Sequence, residues 1–165
     1  MIRWLERLPG PALGRAVRAA LLVVGLSPWL PPFASRVVGL DWVARLFEAW
    51  FEFQCHREAA RSLVIFSHVL PVCIRCFGIY TGLGLGALVL RPKLEVWPLR
   101  IWVAVAAGLM IVDVVTENLG LRPEWGLVRL GTGLLLAYPV GSALVWSARG
   151  EPSSTDPEPG AGRPN

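Results

Sequence analysis

The sequence predicts an all-α membrane protein with about four transmembrane helices, an amphipathic interfacial helix and a Cys/His-rich loop. Hydrophobic residues make up 54% of the 165 residues and charged residues only 17%, against about 25% charged residues in soluble proteins. A soluble domain of this size leaves too much surface in water to hide so much apolar area. Several apolar segments also approach the length of a membrane span. We therefore expect the lipid bilayer to be the main partner of the chain.

The first apolar segment follows an arginine-rich N-terminus. Residues 1–18 carry four arginines, and residues 19–30 read AALLVVGLSPWL. A span over about 17–30 is short for a hydrocarbon core about 30 Å thick, because a helix rises 1.5 Å per residue. A cleaved signal peptide is the alternative, but the proline-rich sequence at 28–32 is a poor small-residue cleavage site. We expect a retained first span.

Residues 33–53 have the pattern of an amphipathic helix. Charged residues occupy several faces, and two tryptophans add amphipathic rings. The apolar side chains recur at helical spacing, at Val37, Leu40, Ala44, Phe47 and Phe51. Such a helix suits the membrane surface. Packing of this helix against the other spans is the second interpretation.

Three further spans are predicted at 73–90, 99–115 and 127–146, each near the minimum length for a transmembrane helix. With four spans, both termini lie on one side of the membrane, and that side collects slightly more arginine and lysine residues. The positive-inside rule then predicts cytoplasmic termini. We expect a multi-pass protein of the cell membrane.

Three glycines of the second span repeat every four residues, at Gly78, Gly82 and Gly86. This spacing places them on one stripe of a helix, where a neighbouring helix backbone approaches closely. The neighbour is either another span of the same chain or a second copy in a homo-oligomer.

The rest of the sequence adds no second domain. We expect a single membrane domain over 1–147 and a disordered tail over 148–165, which is rich in proline, glycine and serine. The net charge of +4 comes without a long basic run. Aromatic–basic alternation of the kind that binds nucleic acid is also missing from the sequence, so we exclude a nucleic-acid partner.

All three cysteines and both histidines fall between residues 55 and 76, in the loop CHREAARSLVIFSHVLPVCIRC. The short apolar runs around residues 67–68 suggest a small hairpin or an extended loop. Pro71 disfavours a regular strand and suits the position just ahead of a helix that begins near Val72.

The cysteines and histidines of this loop have the composition of a metal site. Cys73 and Cys76 are separated by two residues, which is half of a tetrahedral zinc site. Cys55 and His68 complete a Cys3His set, and His56 either replaces His68 or supports a ligand. Thiolate and imidazole both suit Zn²⁺. Two alternatives stay open: a redox-active dithiol formed by Cys73 and Cys76, and simple packing of small buried thiols.

A polar cluster is predicted at the same membrane face as this loop. Alternation of antiparallel helices brings the start of the second span, the end of the third and the start of the fourth to one side. The polar residues at these three positions are Arg75, Asp113, Glu117, Arg129 and Thr132. Ionisable residues near a span end are either structural ion pairs or parts of a proton or cation pathway.

One block of this loop is specific. The sequence reads Cys-His at 55–56, Arg-Ser at 61–62 and LPVCIRCFGIYTG at 70–82, and Asp113 and an Arg-x-x-Thr-Gly step at 129–133 follow. This pattern resembles the DUF2085 family of small membrane proteins over roughly 50–135. Arg57 stands where that family usually has glutamine. The resemblance implies a multi-span membrane protein and supplies no reaction.

We expect an integral membrane protein without enzymatic activity, in which bound Zn²⁺ holds the 55–76 loop onto the span ends. The first alternative is a membrane thiol–disulfide oxidoreductase that uses Cys73 and Cys76. The second is a small transporter or channel that uses Asp113.

Overall fold

The computed structural model describes residues 10–55, 61–89, 96–121, 123 and 125–149. These residues form six α-helices and one β-hairpin. The elements are α1 (Gly10–Leu26), α2 (Leu30–Ala34), α3 (Asp41–Glu52), β1 (Ser62–Ile65), β2 (His68–Cys73), α4 (Ile74–Leu88), α5 (Val96–Asn118) and α6 (Gly126–Ala148). Residues 150–165 of the predicted disordered tail lie outside the described residues.

Three helical segments in the described part of the chain are long and apolar enough to cross a membrane: Ala12–Ala34, Trp97–Asn118 and Gly126–Ala148. The predicted all-α membrane class is confirmed. The predicted count of four is one too high by this criterion, because α4 has only 15 residues, or about 22 Å at 1.5 Å per residue.

The first span extends beyond the predicted residues 17–30. A 3₁₀ turn over Ser27–Trp29 joins α1 to α2, and prolines occupy the first positions of both short segments. Proline is tolerated there because its missing N–H has no helical acceptor to lose. The helical path therefore continues to Ala34, and the amphipathic helix predicted over 33–53 begins only at Asp41.

The centre of the bundle is the parallel pair of α4 and α6, which pack through the glycine stripe. Gly78, Gly82 and Gly86 are all buried. A methyl group on Gly82 would lie 2.8 Å from the Leu134 carbonyl oxygen, and methyl groups on the other two would also collide with backbone atoms of α6. The stripe thus serves a contact between two helices of the same chain.

Helices α1 and α5 pack on the outside of this pair. In α1, a methyl group on Gly25 would lie 2.6 Å from Cα of Gly84 in α4. Trp29 packs against Phe77 with ring centroids 4.8 Å apart. Helix α5 packs against α6, where the Trp102 indole N–H donates to the Leu135 carbonyl oxygen at 3.0 Å. The chain directions put the ends of α1 and α5 and the starts of α4 and α6 at one membrane face.

The hairpin lies over that face. Strands β1 and β2 pair antiparallel, with Ser62 opposite Cys73 and Ile65 opposite His68. Phe66 and Ser67 form the turn with φ of 53° and 65°, the backbone that a two-residue hairpin loop requires. Under the hairpin, a hydrophobic cluster joins α3, β2 and α4 through Phe51, Leu70, Val72 and Phe77.

Pro71 lies inside β2, which corrects the expectation of an irregular segment and a helix from Val72. The register shifts between Ser62 and Val64, so the pairing is irregular beside the proline. Proline is accepted in a sheet at edge strands and bulges, and both strands of a two-stranded sheet are edges. The strand therefore continues to Cys73, and α4 begins at Ile74.

Candidate functional site

Three separate elements bring the three cysteines together. Cys55 follows the C-terminus of α3, where its backbone N–H donates to the Phe51 carbonyl oxygen at 3.0 Å. Cys73 ends β2 and is the N-cap residue of α4, and Cys76 lies in the first turn of α4. The three Sγ atoms all lie within 4.8 Å of one another. All three thiols are unbridged and half-buried.

The arrangement of the thiols fits a tetrahedral metal ion. With Zn–S distances of about 2.3 Å, two sulfurs of such a site lie about 3.8 Å apart, so a small movement of the side chains suffices. The backbone N–H of Cys73 already donates to the Cys55 sulfur at 3.3 Å. An N–H group directed at a sulfur stabilises the thiolate form that a metal requires.

The surroundings of Cys73 also favour the thiolate. The Cys76 thiol, which hydrogen-bonds to the Cys73 sulfur, is the main reason that the pKa of Cys73 is lowered from 9.0 to about 5. Burial opposes this change, while backbone N–H groups of the first turn of α4 support it. These N–H groups belong to Arg75 and Cys76 and act as hydrogen-bond donors to the Cys73 sulfur.

The structure places His68 away from the thiols, which corrects its assignment as a fourth ligand. His68 and Cys73 are opposite ends of β2, and five steps at about 3.3 Å put them on the order of 15 Å apart. The His68 Nε2 lies instead 2.9 Å from Glu48 Oε1. The sequence carried no signal for Glu48. His56, the second predicted histidine, lies outside the described residues.

A network of ion pairs begins at Arg75, which lies between Cys73 and Cys76 in the sequence. Arg75 Nη2 lies 2.6 Å from Asp113 Oδ2 and 3.6 Å from Glu117 Oε2. Arg129 Nε donates to Glu117 Oε2 at 2.7 Å, and its Nη2 contacts the other carboxylate oxygen. Asp113 and Glu117 are one helical turn apart on α5, so both carboxylates face α4 and α6.

The network is removed from solvent. The side chains of Arg129 and Glu117 are each 5% exposed, and Asp113 is 3% exposed. Buried charges persist when they are paired and hydrogen-bonded. The compensation of Asp113 by Arg75 favours the structural ion pair over a transport pathway.

Thr132 does not join the charges through its hydrogen bond. Its hydroxyl donates to the Arg129 carbonyl oxygen at 3.1 Å, within α6. A threonine hydroxyl reaches the carbonyl one turn back easily.

The chain is similar to a family of predicted membrane proteins and to uncharacterized proteins of archaea. The model of a family described as "Predicted membrane protein (DUF2085)" matches residues 55–143. An uncharacterized protein of Methanocaldococcus jannaschii is 35% identical over 132 residues, which cover 75% of this chain and 85% of that protein. An uncharacterized protein of Methanothermobacter thermautotrophicus is 33% identical over 90 residues, which cover 51% and 78%. No solved structure matches the chain.

Proposed function

The chain belongs to the DUF2085 family of predicted membrane proteins. For this membrane protein, we propose that Cys55, Cys73 and Cys76 bind a Zn²⁺ ion at one membrane face. The ion ties the end of α3 to the junction of β2 and α4. One observation carries the proposal: three thiols from separate elements have their sulfur atoms within 4.8 Å of one another. Convergence of this kind is what a structural zinc site requires.

The role of the ion is to hold the hairpin onto the bundle. Among the residues that the structure describes, the hydrophobic cluster under the hairpin has four buried members, which is a small core for a two-stranded sheet. A metal ion bound both by Cys55 after α3 and by Cys73 and Cys76 at the start of α4 adds a constraint that apolar packing alone does not supply. His56 is the proposed fourth ligand, because it directly follows Cys55 and structural zinc sites have four protein ligands.

Elemental analysis of the protein purified in detergent tests this function. The wild type is expected to carry about one zinc per chain. Cys55→Ser and Cys73→Ser are each expected to lose the metal, whereas His68→Ala keeps it because that imidazole is paired with Glu48. A wild type purified from zinc-replete cells with zinc far below one per chain would reject the proposal.

A second candidate function is thiol–disulfide exchange, favoured by the half-buried, unbridged pair of Cys73 and Cys76 and by the lowered pKa of Cys73. The Cys73 thiolate would attack a substrate disulfide, form a mixed disulfide and release one substrate thiolate. The Cys76 thiol would then attack the Cys73 sulfur, with its proton passing to the departing sulfur. A Cys73–Cys76 disulfide forms, the second substrate thiol is released, and two electrons pass to the substrate. Cys55 lies outside this pair, so Cys55→Ser would keep exchange activity while losing any zinc.

We extend the proposal to the location of the site. Gly14 of α1 lies beside Arg149 at the end of α6, so the start of α1 and the end of α6 are on one side of the bundle. The excess of arginine and lysine predicted for that side supports cytoplasmic termini in the cell membrane. The cysteines would then face outward. Labelling of intact cells with a membrane-impermeant maleimide after chelator treatment tests this orientation, and labelling only after the cells are lysed would reverse it.

A further inference from the structure

Helix α3 carries an apolar surface that the fold leaves exposed. Trp42, Leu46 and Trp50 are 61%, 60% and 61% exposed. They are spaced four residues apart and so form one stripe along the helix. The opposite side of the helix is buried through Ala44 and Phe51. A stripe of this composition is too apolar for a surface that meets only water.

The helix is divided into three sectors. At about 100° per residue, the exposed stripe points roughly 150° away from the buried side. A third sector, between these two, carries the charged residues Asp41, Arg45, Glu48 and Glu52. Ordinary surface helices have only two sectors, one apolar and one polar. The additional apolar sector indicates a third environment beside protein and water.

The position of α3 identifies that environment. Phe51 packs edge-on against Tyr80 with ring centroids 5.4 Å apart. Tyr80 is six residues into α4, or about 9 Å below the start of that helix. The inner side of α3 therefore touches the bundle at the level where the apolar part of α4 has begun. Helix α2, which ends the first membrane span, also packs on α3.

We propose that the stripe of Trp42, Leu46 and Trp50 binds the lipid bilayer at the boundary between headgroups and acyl chains. The charged sector then faces the water and headgroup side, and the buried sector faces the hairpin core. Tryptophan suits this boundary because its ring is apolar and its N–H is polar. An in-plane helix with one apolar and one charged face is the usual form of such an anchor.

Lipid is a better occupant than a second copy of the chain. Helix α3 packs on α2, and α2 carries the exposed apolar residues Leu30 and Phe33 within a segment that is long and apolar enough to cross the bilayer. A helix held beside the lipid-facing side of a span lies at the bilayer as well. The inference does not depend on the metal, since it rests on α3 and its neighbours alone.

Electron paramagnetic resonance of the full chain in liposomes tests the proposal. A keto amino acid at position 46 is labelled with a hydroxylamine nitroxide, which leaves the native thiols untouched. The matched control carries the same label at the adjacent position 45, in the charged sector. We expect the label at 46 to be more accessible to O₂ than to a water-soluble nickel chelate, and the label at 45 to show the reverse order.

Two results would overturn the inference. Equal, high accessibility of both labels to the nickel chelate would place the stripe in water. Low accessibility of the label at 46 to both reagents would mean that a protein surface, such as a second copy, covers it. If either variant fails to insert, labels at 50 and 52 repeat the comparison of the apolar and charged sectors.

Discussion

Arg75 Nη2 of α4 lies 2.6 Å from Asp113 Oδ2 of α5. Arg75 also lies between Cys73 and Cys76 in the sequence. The first turn of α4 therefore carries two cysteines toward the hairpin and a guanidinium toward α5. The candidate metal site and the charge network are attached to the same helical turn.

Asp113→Asn is expected to destabilise the protein by about 3 kcal/mol, because it leaves the Arg75 charge without its nearest carboxylate. Glu117, 3.6 Å from the same guanidinium, compensates in part and places the loss at the low end of the usual range. The free energy of unfolding in detergent measures the effect. Asp41→Asn, at an exposed residue of α3, is the control and should change stability by less than about 0.5 kcal/mol. Equal effects of the two variants would contradict a structural role of the ion pair.

Gly86→Ala is expected to destabilise the contact of α4 with α6 by about 1–3 kcal/mol. The added methyl group would collide with the backbone of Tyr138 and Ser142, which can give way only if the two helices separate. Gly108→Ala on α5 is the matched control, since nothing lies within 4 Å of the added atom. The control should be neutral or stabilising by up to about 1 kcal/mol, because alanine favours a helix. Thermal unfolding of both variants in one detergent makes the comparison, and a stable Gly86→Ala protein would refute the close packing.

The thiolate of Cys73 is expected to persist in mildly acidic solution after the metal is removed by chelator. Its pKa is lowered from 9.0 to about 5, so the thiolate form is present above about pH 5. Because the folded pKa is below that of the unfolded chain, the linked stability is complete above the ordinary thiol pKa and disappears as the pH falls through about 5. The pH profile of iodoacetamide alkylation at Cys73, followed by mass spectrometry, measures this. A midpoint near that of an ordinary thiol would contradict it.

The two histidines are expected to differ in their effect on zinc content. His56→Ala should lower zinc affinity, because it removes the proposed fourth ligand. His68→Ala should leave zinc affinity unchanged, because its Nε2 lies beside Glu48 at the other end of β2. Competition with a chromophoric chelator gives both affinities. A loss of affinity confined to His68→Ala would reverse the assignment.

The positions of the charges were accessible to sequence reasoning, whereas the position of His68 was not. Antiparallel alternation of helices is enough to put Arg75, Asp113 and Arg129 at one face, and the structure brings all three into one network with Glu117. His68 depends on the register of a hairpin, and one proline made that hairpin hard to predict. Because His68 pairs with Ile65, it lies beside the turn of the hairpin, at the end of β2 away from Cys73.

The predicted bounds of the spans differ from the observed helices at both ends of the chain's apolar segments. The first span extends beyond 17–30 because its prolines lie at the start of successive helical segments. Proline at these positions does not interrupt the helix, so the segment continues in the same direction. The second predicted span is shorter because Cys73 belongs to the strand and the helix ends at Leu88. The hydrophobic pattern of the sequence predicts where the long helices lie, but tertiary packing determines the residues at which they begin and end.

X-ray absorption at the zinc edge of the purified protein tests the central claim most directly, because it counts the atoms bound to the metal. The account predicts three sulfur atoms at about 2.3 Å and one nitrogen at about 2.0 Å. Replacement of Cys55 by serine should remove zinc from the protein. A wild-type spectrum with bound zinc surrounded only by oxygen and nitrogen would contradict the claim that the three thiols form a metal centre.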